Sequence, residues 1–143
     1  MSASYFVDTN VFVYGRDSSE PEKQPRASLW IASLWKSRAG VLSIQVLNEY
    51  YYTVTQKLNP GMTREEARSD VASLMSWNPL PIEGRVVQRG WLLQDRFGLS
   101  WWDALIVAAA QLSGSKYLLS EDLQDEQNYD GLIVLNPFTH DLP

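Results

Sequence analysis

Four carboxylates in this sequence occupy positions that are typical of active-site acids in α/β proteins. Asp8 directly follows the first apolar segment of the chain, and Asp122 comes shortly after a later one. Glu49 and Asp103 lie in segments whose residue spacing predicts helices. Because ligands of open α/β sheets bind beyond the carboxyl ends of the strands, we expect Asp8 and Asp122 to share one rim of the sheet. Whether Glu49 and Asp103 join them depends on packing that the sequence does not show.

The chemistry open to such a cluster is metal-assisted hydrolysis. Converging carboxylates repel one another and raise each other's pKa, and a bound Mg²⁺ or Mn²⁺ offsets that repulsion. A site made only of oxygen ligands suits the hydrolysis of phosphate esters. The chain has no cysteine and one histidine, His140, which lies three residues from the end. This composition excludes disulfides, zinc–thiolate sites, iron–sulfur clusters, a cysteine nucleophile and a multi-histidine zinc site.

Each acid also has a purely structural interpretation, and the spacing alone leaves both open. Asp103 lies three residues after Ser100 and suits a helix-capping pair. Glu49 lies on the side of its helix away from the apolar stripe and would by default be a solvated surface residue. Asp122 lies in an acid-rich turn. Asp8, directly after an apolar strand, has the position least typical of a structural residue.

The elements that must position these acids alternate between strands and helices. The patterning predicts an α/β fold with a short-stranded, mainly parallel sheet and many helices. Thr9 or Asn10 suits the cap of a first helical turn, and Asn78–Ile82 is a short extended link that could be a strand. We expect strands at 4–7, 41–42, 116–119 and 132–135, and helices at 11–15, 21–38, 43–58, 63–77, 83–97 and 100–113, with Gly40 closing the second helix.

Composition limits the class of protein. The 143 residues are 45% hydrophobic, enough for one domain, which we place at 1–143. The formal net charge of −5 argues against electrostatic binding of a polyanion unless metal ions are bound, since two divalent ions would reduce it to −1. No apolar segment is long enough for a membrane span or a signal peptide, so the expected compartment is the cytoplasm.

Four sequence motifs together resemble those of PIN-domain nucleases, in the order found in that family. They are Val7–Asn10, Leu42–Glu49, Ser100–Ala104 and Leu118–Asp125. The chain length is similar to that of the VapC-type toxins of bacterial toxin–antitoxin pairs. The resemblance implies a three-layer α/β/α sandwich.

The resemblance also implies roles for individual residues. Asp8, Glu49, Asp103 and Asp122 would be the catalytic acids that bind Mg²⁺ or Mn²⁺. Asp125 would be a further ligand or an acid just behind the ligands. Three neighbours would support the metal ligands: Thr9 with a hydroxyl near the metal, Asn10 by bracing the loop, and Ser120 through a hydrogen bond.

The activity implied is that of an endoribonuclease that hydrolyses RNA phosphodiesters to 3′-hydroxyl and 5′-phosphate ends. The implied partners are RNA, a cognate antitoxin and a second copy of the chain, bound through the aromatic-rich helices. An antitoxin would supply a basic or aromatic segment that occupies the acidic cleft.

Several other side chains are candidates for RNA contact, although structural roles are open for all of them. Arg85 and Arg89 fall on one side of a predicted helix, and Arg16 flanks the first loop, so these residues could follow a phosphate backbone. Tyr52 lies near Glu49 on the helical wheel and could stack on a base. Trp102 is expected in the core or an interface, and His140 on the surface of the tail.

Two rival functions remain open at this point. The first is a phosphatase with an aspartate nucleophile on a similar sheet, but such enzymes usually carry a second Asp two residues later, where this chain has Asn10. The second is a binding module whose acids are structural. It predicts that Mn²⁺ does not bind.

Overall fold

The computed structural model describes residues 3–143 as six α-helices around a five-stranded sheet. The strands are β1 (Tyr5–Val7), β2 (Gly40–Val41), β3 (Tyr117–Leu119), β4 (Asn128–Tyr129) and β5 (Leu132–Leu135). The helices are α1 (Thr9–Tyr14), α2 (Lys23–Ser37), α3 (Ile44–Gln56), α4 (Arg64–Leu74), α5 (Gly84–Phe97) and α6 (Trp101–Leu112), with a 3₁₀ turn at Met75–Trp77. The α/β class and the mainly parallel, short-stranded sheet are as predicted from the sequence.

The sheet places β1 near its centre. Its strand order is β2-β1-β3-β5-β4, and every pairing is parallel except β4 with β5. Phe6 and Val7 are both fully buried, as are Leu118 and Leu119 on the adjacent strand. Because consecutive residues of a strand point to opposite faces, this burial shows that both faces of the sheet are covered. The carboxyl ends of β1 and β3 therefore lie side by side at one edge.

Helix boundaries follow local capping chemistry. The Ser43 hydroxyl accepts a hydrogen bond from the Val46 backbone and begins α3. Thr63 and Glu66 form a reciprocal capping box at the start of α4. Helix α5 ends at Gly98, whose φ of +66° suits glycine. These three signals were correctly identified from the sequence.

The structure differs from the sequence predictions in several local details. The cap of α1 is Asp8 itself, and neither Thr9 nor Asn10, since the Asp8 carboxylate accepts from the backbone of the first helical residue. Helix α2 ends at Ser37, and Gly40 belongs to β2. The 78–82 link makes only an isolated bridge between Leu80 and Ser43. The two-residue strand β4, paired antiparallel with β5, was not predicted.

Along residues 3–143, none of the helices combines the length and the apolar character that crossing a bilayer requires.

An aromatic ring packs so closely against Gly40 that there is no room for a side chain at this position. A Cβ atom at this position would lie 2.3 Å from the Trp77 ring, which also packs against Trp35 and Phe12. We expect Gly40→Ala to lower the free energy of unfolding by about 1 to 3 kcal/mol, because the ring must move to make room. Urea denaturation measures the change.

The matched control is Gly84→Ala, where a Cβ would meet no atom within 4 Å. Its stability should be unchanged or slightly raised, since alanine is the better helix former. Adding Trp77→Leu to Gly40→Ala should recover part of the loss. Equal stability of Gly40→Ala and the wild-type chain would contradict the steric explanation.

Candidate active site

Asp8 is the centre of the candidate site. It ends β1 and caps α1, and its side chain is 95% buried, with 5% of its surface exposed. One carboxylate oxygen accepts from the Thr9 backbone at 2.7 Å. The other accepts from the Ser120 hydroxyl at 2.7 Å and from the Asn10 amide at 3.2 Å. Three donors therefore hold this carboxylate in one orientation.

Asn10 joins Asp8 to the loop that carries Asp122. Its side-chain nitrogen donates to Asp122 at 3.2 Å as well as to Asp8, so one amide links the two carboxylates. Its oxygen accepts from the backbone of Glu121 at 3.2 Å. The backbone N–H of Asp122 donates to the Ser120 hydroxyl at 3.2 Å. The ends of β1 and β3 are thus tied together by side chains from both.

The Asp122 loop is anchored on its other side through Glu121. The Tyr14 hydroxyl, on α1, donates to Glu121 at 2.7 Å, and the Lys23 ammonium, on α2, lies 2.8 Å from the same carboxylate. These contacts fix the backbone next to Asp122. Lys23 is therefore engaged within the protein and does not face the cleft.

Glu49 comes to the site from α3. The Thr9 hydroxyl donates to one of its oxygens at 2.8 Å, and the Gln45 amide donates to the other at 3.4 Å. Gln45 precedes Glu49 by four residues and so lies on the same helix face. Glu49 is thus held beside the residue that follows Asp8, and its solvated-surface interpretation does not apply.

Asp103 occupies the first turn of α6. Its backbone N–H donates to the Ser100 hydroxyl at 3.3 Å, so this helix is capped as the sequence suggested. Its carboxylate lines the same cleft as the other three acids. Asp103 therefore takes part in capping α6 through its backbone and also contributes its carboxylate to the cleft.

The acids influence one another electrostatically. Burial raises the pKa of Asp8 to about 7; hydrogen bonds from Ser120 and Thr9 oppose this rise, and the charges of Asp122 and Asp103 add to it. The pKa of Asp103 is also raised, first by burial and then by the charge of Asp122. Burial and mutual repulsion therefore disfavour the charged form of these carboxylates, and a bound cation would stabilise it.

The four acids share an open cleft of about 1220 Å³. Asp17 and Glu20 also line it, which makes six carboxylates, and the only basic residue lining it within residues 3–143 is Lys57. Over the same residues, no three His, Asp or Glu side chains lie close enough together to enclose a metal ion as they stand. The chemistry of the donor set, which is made only of oxygen ligands, and the raised pKa of Asp8 fit Mg²⁺ or Mn²⁺.

Asp125 lies outside this site. Its carboxylate accepts from the Asn136 backbone at 2.9 Å and pairs with the His140 ring nitrogen at 3.0 Å. Neither Asp125 nor His140 lines the cleft. Asp125 therefore anchors the C-terminal tail. Its position supports neither of its predicted roles, as a further metal ligand or as an acid just behind the ligands. His140 is correspondingly half-buried, not the free surface residue that was expected.

The three arginines proposed for RNA contact also lie outside the cleft. Arg16 makes a bidentate pair with Asp70, at 2.9 and 2.7 Å. Arg89 donates to Gln111 at 2.7 Å. Arg85 is exposed on α5, with Glu83 as its nearest acid at 3.9 Å. Helical periodicity placed Arg85 and Arg89 on one side of a helix, and Arg16 was chosen because it flanks the first loop. Neither signal could identify hydrogen-bond partners, which for Arg16 and Arg89 are distant in sequence.

Tyr52, in contrast, does line the cleft, together with residues that the sequence analysis did not assign to it. These are Gln45, Lys57 and Trp102. The available signal was spacing on α3: Gln45 lies four residues before Glu49, and Lys57 lies eight residues after it. Trp102 is 61% exposed, so it is not part of the core.

The raised pKa of Asp8 predicts how stability depends on pH in the metal-free protein. The folded state holds the Asp8 proton more tightly than the unfolded chain does. The contribution of Asp8 to the free energy of unfolding is therefore greatest at low pH and falls as the pH rises towards and through about 7. In EDTA we expect the free energy of unfolding to fall by roughly 2 kcal/mol more in the wild-type chain than in Asp8→Asn between about pH 5 and pH 8.

Urea denaturation across that range measures this difference. Asp95→Asn, which neutralises an exposed carboxylate on α5, is the control and should follow the wild-type curve. Parallel pH profiles for the wild-type chain and Asp8→Asn would show that Asp8 does not carry the effect.

Comparisons with known proteins identify the family and support the fold. The PIN domain family model matches residues 5–127. Among solved structures, the chain is similar to VapC20 from Mycobacterium tuberculosis, described as a sarcin-ricin loop cleaving toxin, with a TM-score of 0.62 and 19% identity over 83% of this chain and 92% of that one.

It is also similar to a toxin–antitoxin complex from Klebsiella pneumoniae, with a TM-score of 0.60 and 19% identity over 94% of this chain and 98% of that one. No curated protein sequence matches it. At this level of identity the two structures support the fold, while the family model covers most of the sequence. The chain belongs to the PIN domain family.

Proposed function

We propose that this protein is a metal-dependent endoribonuclease and the toxin of a toxin–antitoxin pair. The observation that carries the proposal is the position of Asp8. It is a buried carboxylate at the end of a central strand, in one cleft with Glu49, Asp103 and Asp122. Membership of the PIN domain family and the likeness to VapC20 support a nuclease of this kind.

The residues that would hold Mg²⁺ or Mn²⁺ are the four acids Asp8, Glu49, Asp103 and Asp122. When bound, the metal lowers the pKa of the attacking water and stabilises the charge on the leaving oxygen. Ser120 and Asn10 keep the Asp8 carboxylate facing the cleft, and Thr9 does the same for Glu49. The chain therefore supplies oriented oxygen ligands that need no rearrangement of the backbone.

The reaction that fits this cleft is an in-line displacement at an RNA phosphate. The oxygen of water bonds to phosphorus, the bond from phosphorus to the 3′-oxygen breaks, and that oxygen takes up a proton. The products are a 3′-hydroxyl and a 5′-phosphate. One of the cleft carboxylates or a hydroxide serves as the proton acceptor.

The proposal includes two protein partners. An antitoxin would place a basic or aromatic segment in the cleft, whose six carboxylates attract such a segment. A second copy of the chain would pack through the aromatic-rich helices. Trp91 and Leu92 on α5 are more than half exposed and offer an apolar face for such an interface. The proposed compartment is the cytoplasm, where RNA substrates occur.

Asn10 argues against the phosphatase alternative. The general acid of an aspartyl phosphatase would have to occupy this position. Here an amide stands in its place and donates to both Asp8 and Asp122, so it braces the carboxylates and has no acidic proton to transfer.

The nuclease proposal predicts RNA cleavage that requires a divalent metal ion. Wild-type protein should cut RNA in Mg²⁺ or Mn²⁺ and not in EDTA, and Asp8→Asn and Asp103→Asn should each be slower by at least roughly 100-fold, since each loses a charged ligand. Gel analysis of labelled RNA measures the rate, and the ends of the products identify the bond that breaks. Asp95→Asn should cut at the wild-type rate. Cleavage that persists in both Asp8→Asn and Asp103→Asn would refute the assignment.

Metal binding is a separate prediction that also tests the binding-module alternative. At saturating Mn²⁺ and neutral pH, the melting temperature of the wild-type protein should rise by roughly 5 to 10 °C, because the ion binds only the folded chain. Asp8→Asn should lose most of this rise, whereas Asp95→Asn should keep it. Differential scanning calorimetry provides the measurement, and an unchanged wild-type melting temperature would favour a non-catalytic module.

A further inference from the structure

We propose that the cleft contains a subsite for one unpaired RNA base and its phosphate, next to the acids. The subsite is lined by Tyr52 on α3, by Lys57 directly after that helix, and by Trp102 at the start of α6. We call these three residues the aromatic wall. The inference rests on the proposed function, in that it takes RNA as the substrate. It adds the residues that would select single-stranded RNA.

Tyr52 lies on the same face of α3 as Glu49, one of the acids of the site. Tyr52 follows Glu49 by three residues, so it is a neighbour on the surface of α3, displaced by about 4.5 Å along the helix axis. Lys57 lies a further turn and a half along, and both side chains line the cleft. The order along the cleft is therefore acid, aromatic ring, cation.

Trp102 brings a second ring to the same cleft. Its backbone oxygen accepts from the Gln45 amide at 3.2 Å, which fixes the start of α6 beside α3. The side chains of Trp102 and Tyr52 are 61% and 57% exposed, whereas Trp30 and Tyr50 are buried in the core. The two exposed rings contribute little to the packing of the chain, and their faces are available for a planar ligand.

Gln45 provides an independent sign that this region receives a ligand. Its side chain is 7% exposed, and its amide nitrogen donates to the Glu49 carboxylate and to the Trp102 carbonyl. Two acceptors thus fix the orientation of the amide. Among residues 3–143 its oxygen has no hydrogen-bond partner, although it is buried and belongs to a residue that lines the cleft. A buried acceptor of this kind requires a donor, and RNA provides donors in its 2′-hydroxyl and base N–H groups.

The pairing of Tyr52 with Lys57 favours a nucleotide over an apolar ligand. The cleft is acidic, with six carboxylates, and within residues 3–143 Lys57 is the one cation that lines it, so a phosphate that is not held by a metal would have to lie at Lys57. Its ammonium lies 5.8 Å from the centroid of the Tyr52 ring. A base stacked on that ring would have its own phosphate within reach of Lys57. Stacking requires a base that is free of a duplex, so the subsite should select single strands.

Binding of uncleavable RNA tests the inference independently of catalysis. The probe is a fluorescent single-stranded RNA with phosphorothioate linkages, titrated in Mg²⁺ and followed by anisotropy. We expect Tyr52→Ala and Trp102→Ala each to raise the Kd roughly 5- to 100-fold, which is the effect of losing one stacked base. The matched control is Leu29→Ala, an equally exposed apolar side chain on α2 that does not line the cleft, which should bind like the wild-type chain. Annealing the probe to its complement should abolish the difference between variants.

The possible outcomes are distinct. If the wild-type chain does not bind the probe, or if the two wall variants bind it as Leu29→Ala does, the subsite is refuted. If the wall variants weaken binding but wild-type protein does not cut ordinary RNA, the subsite stands and the nuclease proposal fails. Sedimentation velocity of the same variants covers the remaining case. A dimer that becomes monomeric in Tyr52→Ala or Trp102→Ala would show that the wall is a protein interface, and this would overturn the inference.

Discussion

The site depends on one electrostatically unfavourable feature: the carboxylate of Asp8 is buried at the end of a central strand, beside other carboxylates. Asp8 is 5% exposed, and burial together with the charges of Asp122 and Asp103 raises its pKa to about 7. The surrounding residues offset this penalty with donors: the Thr9 backbone, the Ser120 hydroxyl and the Asn10 amide. These donors come from the segments that directly follow β1 and β3, so the site exists only when the two strands are paired.

The parallel sheet explains why so much of the site was visible in the sequence. Asp8 and Asp122 each follow an apolar strand, and parallel strands bring their carboxyl ends to one edge. Ser43 and Ser100 are local capping signals that place Glu49 and Asp103 on helices beginning near that edge. Short-range chemistry and one rule of topology were enough to predict that Asp8 and Asp122 share an edge. The expectation that Glu49 and Asp103 join them came from the resemblance to PIN-domain nucleases.

Other expectations failed because they depended on partners distant in sequence. Asp125 has the residue type of a metal ligand, but the tail at Asn136 and His140 binds its carboxylate. Arg16 was a plausible phosphate contact, yet Asp70, 54 residues away, holds it with two hydrogen bonds. The two-residue strand β4 is too short to produce a periodic signal, and it exists because β5 lies opposite it. Such features follow from tertiary packing and have no signature in local sequence patterns.

The order of residues along the chain also affects how the protein is made. β1 is synthesised well before its partner β3, which begins at Tyr117, and the loop with Asp122 follows that strand. A growing chain on the ribosome therefore carries Asp8 without Asp122 until that loop has been made. Pairing across so many residues is slow and must await the synthesis of β3. If the chain degrades RNA, this order keeps each nascent molecule inactive until the Asp122 loop has been made.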